Sequence, residues 1–375
     1  MTQIALNTCD QYTPEKLDPI VRQALSLRKF TPGDKVLVKA NMLSARAPEK
    51  CVTTHPAFVE SVCRALLDLG TRPTISDSPG IEPFPLIARV SGIGEVGERL
   101  GVPVKELSRS TLVPADKRRV HARLELSADV LEADAVVSLP KLKTHCQMQL
   151  TMAVKNLFGT VVGTRKSQWH YAVGLDRSRF ADLLLDISIS VPNLLSIVDG
   201  IDGMDGRGPS NGKPHHYGLV GACTDPVALD SVLSPILGLP VEKNVILSAA
   251  RRRGIGDTEL KDVQWLGDFS PETRIPDVDI PQLDALRVMP TLADNIAKKY
   301  LASRPVQDQS RCIACGQCAA ICPADALVLD REHKKLTFDY QRCIRCYCCH
   351  EMCPRDAITF REGPLMKILK ALHLA

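Results

Sequence analysis

The chain has 375 residues, of which 45% are hydrophobic and 24% are charged, and its formal net charge at pH 7 is +4. This composition excludes a mostly disordered chain, and so small an excess of positive charge does not indicate a nucleic-acid-binding protein. The length is sufficient for two or three domains. The sequence has no apolar run of transmembrane length and no signal-peptide pattern, so we expect a cytoplasmic protein.

From residue 33 onward, short β-rich runs alternate with amphipathic stretches. The pattern predicts strands at 35–39, 73–77, 133–139, 194–199 and 216–221, and helices at 56–70 and 226–237. Such alternation predicts an α/β fold class: a large N-terminal domain with a mainly parallel sheet. In sheets of this kind, ligands bind beyond the carboxyl ends of the strands.

Polar or glycine-rich segments follow four of the predicted strands. They are Lys39–Asn41, Asp77–Gly80, Pro140–His145 and Asp199–Pro209. A basic stretch between the last two contains Lys155–Gly159, Arg165, Lys166 and His170. We expect these segments to face a cleft at one edge of the sheet.

The segments together resemble a family of bacterial and archaeal proteins known as the domain of unknown function 362, which often carries a two-cluster ferredoxin module. The matching pieces are Lys39–Asn41, Thr53–Pro56, Asp77–Pro79, Pro140–His145, Lys155–Gly159, Lys166, His170, Gly206–Pro209 and Asp225–Asp230. The resemblance spans about residues 33–240. It implies an arrangement of residues and no particular reaction.

Basic side chains in these segments are candidates for an anion-binding pocket that would hold a carboxylate or phosphate substrate. They are Lys141, Lys143, Lys155, Arg165 and Lys166. The alternative is that these side chains are solvated on a loop and a helix. Lys143, Lys155 and Lys166 are our candidates for contact with a substrate.

Two histidines, His145 and His170, are candidate proton donors, because reduction of a carbonyl or unsaturated substrate consumes protons and histidine titrates near neutral pH. The alternative for each is a structural role. His55 precedes Pro56, and we expect it to cap a helix.

Three aspartates, Asp199, Asp202 and Asp205, recur every third residue in what the sequence suggests is a glycine-rich loop. They form either a set of oxygen ligands for a divalent cation or ordinary turns beside glycines.

Gly92–Gly97 matches the glycine pattern of dinucleotide-binding proteins, but the preceding residues 85–90 fit a helix at least as well as a strand. Flavin and NAD are therefore not supported. The loops typical of NTPases and the nucleophile turn of hydrolases are absent from the sequence.

The C-terminal end differs from the rest of the chain, because nine of the 14 cysteines fall between Cys312 and Cys353. Eight of these nine form two runs with the pattern C-x2-C-x2-C-x3-C-P, and the second run repeats the first at an offset of 31 residues. In this pattern, the first three cysteines of a run bind one iron–sulfur cluster and the fourth binds the other. Paired zinc sites are the alternative, although the spacing is not that of a zinc ribbon.

The two runs resemble a bacterial two-cluster ferredoxin over residues 306–362. The resemblance implies two [4Fe-4S] clusters, the first held by Cys312, Cys315, Cys318 and Cys353 and the second by Cys343, Cys346, Cys349 and Cys322. Cys348 is a ninth cysteine that is either inert or tunes or repairs the second cluster. The second run also carries Arg342, Arg345, His350 and Arg355, whose positive charge either favours a reduced cluster and docking of an acidic electron donor or is solvated surface charge.

We expect four segments: an α/β domain at 1–290, a linker helix at 291–305, the ferredoxin module at 306–362 and an amphipathic tail at 363–375. The tail docks on its own chain, on a partner or on a membrane surface. The first hypothesis for function is an oxidoreductase that relays electrons from an external donor protein through the clusters to an anionic small substrate. The second is a non-catalytic electron carrier that binds a protein partner, and the third is an α/β enzyme with structural clusters.

Overall fold

The structure is a computed structural model that describes residues 1–174, 176–282, 303–361 and 363. The chain divides into two compact units, each of which is described by itself. The first, the α/β unit, contains Met1–Gly163 and Ser178–Pro281, and the second, the cysteine unit, contains Thr164–Arg177 and Gln282–Ala375. Residues 291–302 of the predicted linker helix, and the predicted tail apart from Gly363, lie outside the described residues.

The α/β unit is built around one large sheet. Its strands are β1 (Thr2–Thr8), β2 (Lys35–Ala40), β3 (Arg72–Asp77), β4 (Val104–Glu106), β7 (Ala135–Leu139), β8 (Lys141–His145), β9 (Gln149–Thr151), β10 (Leu194–Asp205), β11 (Lys213–Cys223) and β12 (Val263–Leu266). Strands β5 (Ser110–Leu112) and β6 (Glu125–Ser127) form a separate hairpin.

Helices connect these strands. They are α1 (Pro14–Ser26), α2 (Pro56–Asp68), α3 (Phe84–Val90), α4 (Ile93–Leu100), α5 (Ala128–Leu131), α6 (Ala153–Asn156), α8 (Arg177–Ser188), α9 (Pro226–Ile236) and α10 (Val245–Arg253), while α7 (Arg165–Val173) belongs to the cysteine unit. Short 3₁₀ helices lie at Pro48–Lys50, Leu157–Thr160 and Val241–Lys243.

The strand order in the sheet is β12-β1-β11-β10-β7-β2-β3-β4, with β8 paired to β10 and β9 paired to β8. Pairing is parallel except for β11 with both its neighbours and β8 with β9. The predicted α/β fold with a mainly parallel sheet is therefore confirmed.

Alternate residues of the central strands supply two apolar cores, one on each face of the sheet. Ala5 and Ile197 join the core that α1 to α4 cover, whereas Ile4 and Val198 join the core under α9. Burial on both faces is the usual setting of parallel strands. Because both faces of the sheet are covered by apolar cores, polar side chains meet at the ends of the strands.

The expected loop after Asp199 is wrong, because β10 continues to Asp205 and pairs with β11 across an irregularity between Gly200 and Asp202. The glycines serve close packing. A Cβ atom at Gly203 would overlap the carbonyl oxygen of Leu142 in β8, so glycine here permits two backbones to approach.

The glycine pattern at 92–97 does not follow a strand. Gly92 ends the turn between α3 and α4, and the remaining glycines lie inside α4. The strand-turn-helix context of a dinucleotide site is therefore missing at this segment.

The cysteine unit contains two antiparallel pairs, β13 (Arg304–Gln307) with β16 (Ile358–Arg361) and β14 (Leu327–Asp330) with β15 (Lys335–Phe338). Short helices α11 (Gln317–Ala320) and α12 (Cys348–Glu351) follow the cysteine loops. Within the described residues, no helix has the length and apolar composition needed to cross a bilayer.

Candidate functional site

Buried polar side chains meet at the carboxyl ends of β2, β3 and β7. The ammonium of Lys39 forms an ion pair with Asp77, with 2.8 Å between Nζ and Oδ1, and the two side chains are 0% and 5% exposed. Asp77 also accepts hydrogen bonds from the backbone N–H groups of Met42 and Ser78. These bonds compensate the cost of removing two charges from water.

Lys143 continues this network from β8. Its ammonium donates to Asn41 Oδ1 at 2.8 Å and to the carbonyl oxygen of Val52 at 2.7 Å. The amide of Asn41 in turn donates to Asn156 Oδ1 at 3.1 Å. Asn156 also donates to Ser138 at the end of β7, so segments distant in sequence are joined at one edge of the sheet.

Lys141 belongs to a second buried cluster. Its ammonium lies 2.8 Å from Asp199 Oδ2 and donates to the hydroxyl of Tyr12 at 2.9 Å. Tyr12 donates to the other carboxylate oxygen of Asp199 at 2.8 Å. Burial, together with the neighbouring Asp199, raises the pKa of Tyr12 far above its usual range, so the phenol stays protonated.

His55 closes this cluster on its more exposed side. Its ring stacks on Tyr12 with 3.7 Å between centroids, and its Nδ1 accepts the N–H of Ala57 in the first turn of α2. The predicted helix cap is confirmed. Burial lowers the pKa of His55, so the neutral ring carries its proton on Nε2 at pH 7.

The other two aspartates of β10 are each bonded to a histidine of β11. Asp202 lies 2.7 Å from Nδ1 of His216, and Asp205 lies 3.1 Å from Nδ1 of His215. With Asp199 bound to Lys141, the three carboxylates have separate protein partners. Of the two alternatives for these aspartates, this arrangement does not support a set of cation ligands.

Lys141 and Lys143 are each about 1% exposed. Their ammonium groups hold protein oxygens at the strand ends and do not face open solvent. Lys155 is only half-buried, and its ammonium lies 5.5 Å from the ring centroid of Phe158 and 5.7 Å from that of Phe180.

His145 is buried at the end of β8. Its Nδ1 accepts the backbone N–H groups of Gln147 at 3.0 Å and Met148 at 3.3 Å. A neutral ring that accepts at Nδ1 carries its proton on Nε2, which is therefore a hydrogen-bond donor. Arg165, Lys166 and His170 lie on α7 in the cysteine unit, where His170 is buried.

In the cysteine unit, one cavity is lined by four cysteines: Cys312, Cys315, Cys318 and Cys353. Burial, with the nearby thiolates of Cys353, Cys315 and Cys312, raises the pKa of Cys318 to about 11. Three sulfurs of the first run and the last sulfur of the second run are therefore neighbours.

The other predicted ligands form a second set of neighbouring cysteines, which consists of Cys343, Cys346, Cys349 and Cys322. Burial raises the pKa of the Cys343 and Cys349 thiols, and so do the neighbouring charges of Cys346 and Cys322. Cys318 also contributes at Cys349, since the two sets share one apolar cluster. Thiols grouped in this way suit a metal centre, because metal binding displaces their protons.

The ninth cysteine, Cys348, is buried beside this second set. A hydrogen bond from its thiol lowers the pKa of Cys346, and its sulfur lies 3.9 Å from the carbonyl oxygen of Cys346. It is thus placed against a predicted ligand.

The duplicated cysteine module, joined in one chain to a mainly parallel α/β unit, defines an iron–sulfur protein. Residues 311–357 match a family model described as a 4Fe-4S dicluster domain. Residues 36–234, more than half of the chain, match the model described as Domain of unknown function (DUF362). The chain belongs to the DUF362 family, as the sequence resemblance predicted.

A thylakoid-associated protein of Synechocystis sp. is 36% identical over 227 residues, which are 60% of this chain and 70% of the relative. Among solved structures, a Thermotoga maritima protein is 12% identical with a TM-score of 0.39, and the match covers 58% of this chain and 57% of that one. Lactate racemase apoprotein from Thermoanaerobacterium thermosaccharolyticum is 13% identical with a TM-score of 0.37, covering 60% of this chain and 55% of that one. The chain therefore matches little more than half the length of each solved structure.

Sequence reasoning missed Tyr12, His215 and His216. Tyr12 lies 187 residues from Asp199, and no local pattern marks it. His216 begins the strand predicted at 216–221, but His215 lies outside it, and no local pattern shows that the two bond to aspartates of β10.

Proposed function

We propose that this chain is an electron-transfer protein that holds two [4Fe-4S] clusters. Cys312, Cys315, Cys318 and Cys353 hold one cluster, and the other is held by Cys343, Cys346, Cys349 and Cys322. Clusters of this class exchange single electrons with donors and acceptors. The cavity lined by cysteines of both runs is the observation that carries the proposal.

The protein supports the thiolates through its backbone. The N–H groups of Ala314, Ala326 and Ala357 point to the sulfurs of Cys312, Cys322 and Cys353 at 3.4, 3.3 and 3.1 Å. Hydrogen bonds to sulfur stabilise negative charge at the site. Apolar side chains, among them Leu327, Leu336 and Ile358, pack around the cysteines and limit the access of water.

Double variants test whether the fourth cysteine of each run binds the cluster that is held by the first three cysteines of the other run. Cys315→Ala with Cys353→Ala removes two ligands of one cluster, so half of the iron should remain. Cys315→Ala with Cys322→Ala removes a ligand from each cluster and should abolish both. Equal iron loss in the two double variants, measured by iron and sulfide analysis with paramagnetic resonance, would contradict the exchanged assignment.

A second candidate function is reduction of a small anionic substrate in the α/β unit. Two buried side chains of β8 support it: the ammonium of Lys143, which donates to Asn41 and to the carbonyl oxygen of Val52, and the imidazole of His145, whose Nδ1 accepts from Gln147. Lys155 would add positive charge to this site. In this reaction, the substrate gains two electrons that come singly from an external donor protein, and two protons, one from a histidine and one from water.

An anaerobic redox titration with small carboxylates, phosphates and unsaturated acids tests this candidate. Reoxidation of the reduced protein by one compound, with a slower rate in His145→Gln, is the expected result. If none of the compounds reoxidises the protein or shifts its signals, the reductase proposal fails, and electron transfer to a protein partner is then the remaining candidate function.

We also propose a cytoplasmic location for the protein.

A further inference from the structure

The two cysteine loops have the same backbone but different side chains at one position. Ala314 in the first loop corresponds to Arg345 in the second, at the same offset of 31 residues. Both residues have a positive φ, 55° and 56°, and both donate a backbone hydrogen bond to the sulfur of the preceding cysteine, Cys312 or Cys343. The two loops therefore have the same backbone conformation at this position, and only the second loop carries a guanidinium there.

The guanidinium of Arg345 is buried and incompletely bonded. The residue is 4% exposed, and its Nε and Nη1 have no hydrogen-bond partner among the described residues. The guanidinium carbon lies 5.0 Å from the ring centroid of Tyr340, where Arg304 also lies at 4.8 Å. A buried cation without hydrogen-bond acceptors is costly unless a negative group lies beside it.

The candidate for that negative group is the second set of cysteines. The positive charge of Arg345 acts on the thiolate of Cys343, which lies two residues earlier. Among the described residues, no buried cation lies at the corresponding position beside the first set, where Ala314 stands. The cationic side chains near it, Arg311, Arg331 and Arg355, are exposed to solvent, which screens their charge.

We propose that Arg345 raises the reduction potential of the cluster held by Cys343, Cys346, Cys349 and Cys322, by placing a buried positive charge against it. The inference rests on the proposed function. Reduction adds one electron from the external donor to this site, and no bond forms or breaks. A nearby cation stabilises the added negative charge, and more strongly where water is excluded.

Variants of Arg345 and Arg342 distinguish the effect of a buried positive charge from that of an exposed one. Arg345→Ala removes the buried charge, whereas Arg342→Ala removes an exposed charge next to Cys343. An electrochemical titration monitored by paramagnetic resonance should show that Arg345→Ala shifts one of two midpoint potentials to more negative values. Arg342→Ala should leave both potentials close to those of the unmodified protein, and Arg345→Lys should retain most of the original value.

Ala314→Arg provides the reciprocal test if Arg345→Ala fails to load its cluster. It adds a guanidinium to the first loop and should shift the other midpoint to more positive values. Unchanged midpoints in the loaded variants, or an equal shift in Arg342→Ala, would overturn the inference. Iron and sulfide analysis of the unmodified protein reports separately on the proposed function, because a protein without clusters would fail that analysis first.

Discussion

The ion pair between Lys39 and Asp77 is packed directly against the backbone of Gly159. A Cβ atom at Gly159 would lie 2.6 Å from the ammonium nitrogen of Lys39 and would also overlap a carboxylate oxygen of Asp77. The ion pair links β2 to β3, and Gly159 belongs to the segment that follows α6. Glycine at this position therefore lets a third segment cover a buried pair of charges.

Gly159→Ala should destabilise the protein by about 2–4 kcal/mol, because overpacking here also displaces a buried ion pair. The measurement is denaturant unfolding of the full chain. Gly101→Ala is the matched control: its Cβ would meet no atom within 4 Å, and only its φ of +66° is unfavourable. It should cost about 1 kcal/mol, and an equal loss in both variants would contradict the packing argument.

Lys39→Met should cost about 3–5 kcal/mol, because it leaves the carboxylate of Asp77 buried without its cation. The double variant with Asp77→Asn removes both charges and should recover part of this loss. The free energies of unfolding of the single and double variants form a thermodynamic cycle. Additive losses would show that the two side chains do not interact energetically.

Asp230 should make stability depend on pH. Burial raises its pKa to about 7, although the N–H groups of Ala153 and Val154 at the start of α6 bind its carboxylate. Because the folded pKa lies above the unfolded value of 3.8, this stabilising contribution is complete below pH 3.8 and is lost as the pH rises to 7. The slope between these values is about 1 kcal/mol per pH unit.

Asp230→Asn tests this pH dependence. Its free energy of unfolding, measured anaerobically between pH 5 and 8, should fall less with rising pH than that of the unmodified chain. Asp262→Asn, at an exposed side chain, is the control and should keep the original slope. Identical slopes in all three proteins would contradict the raised pKa.

Cys346 and Cys348 should behave differently although they are two residues apart and both buried. Cys346→Ala removes a ligand and should abolish one cluster, with loss of about half of the iron. Cys348→Ala should retain both clusters, because its thiol is proposed only to donate to the sulfur of Cys346. Iron analysis distinguishes the two, and loss of a cluster from Cys348→Ala alone would show that the ligand assignment in this loop is wrong.

Much of the fold was predictable because its apolar periodicity is local. Strand 35–39 was predicted within one residue of β2, and the helix at 56–70 begins at the same residue as α2. The run Thr2–Thr8 pairs with β11 and β12, but its apolar segment is short and was not predicted as a strand.

The candidate site was less predictable because its contacts are not local. Lys141 was expected to face an anionic ligand, yet its partner is Asp199, 58 residues later. Only the pairing of β8 with β10 brings these two residues together. The cysteine runs were more informative, since the spacing within each loop restricts which sulfurs meet.

Anaerobic iron and sulfide analysis combined with paramagnetic resonance of the reduced full-length protein tests the central claim most directly. The account predicts about eight iron atoms and about eight sulfides per chain, with signals from two interacting [4Fe-4S] clusters. Zinc in place of iron, or no more than about four iron atoms per fully loaded chain, would contradict it.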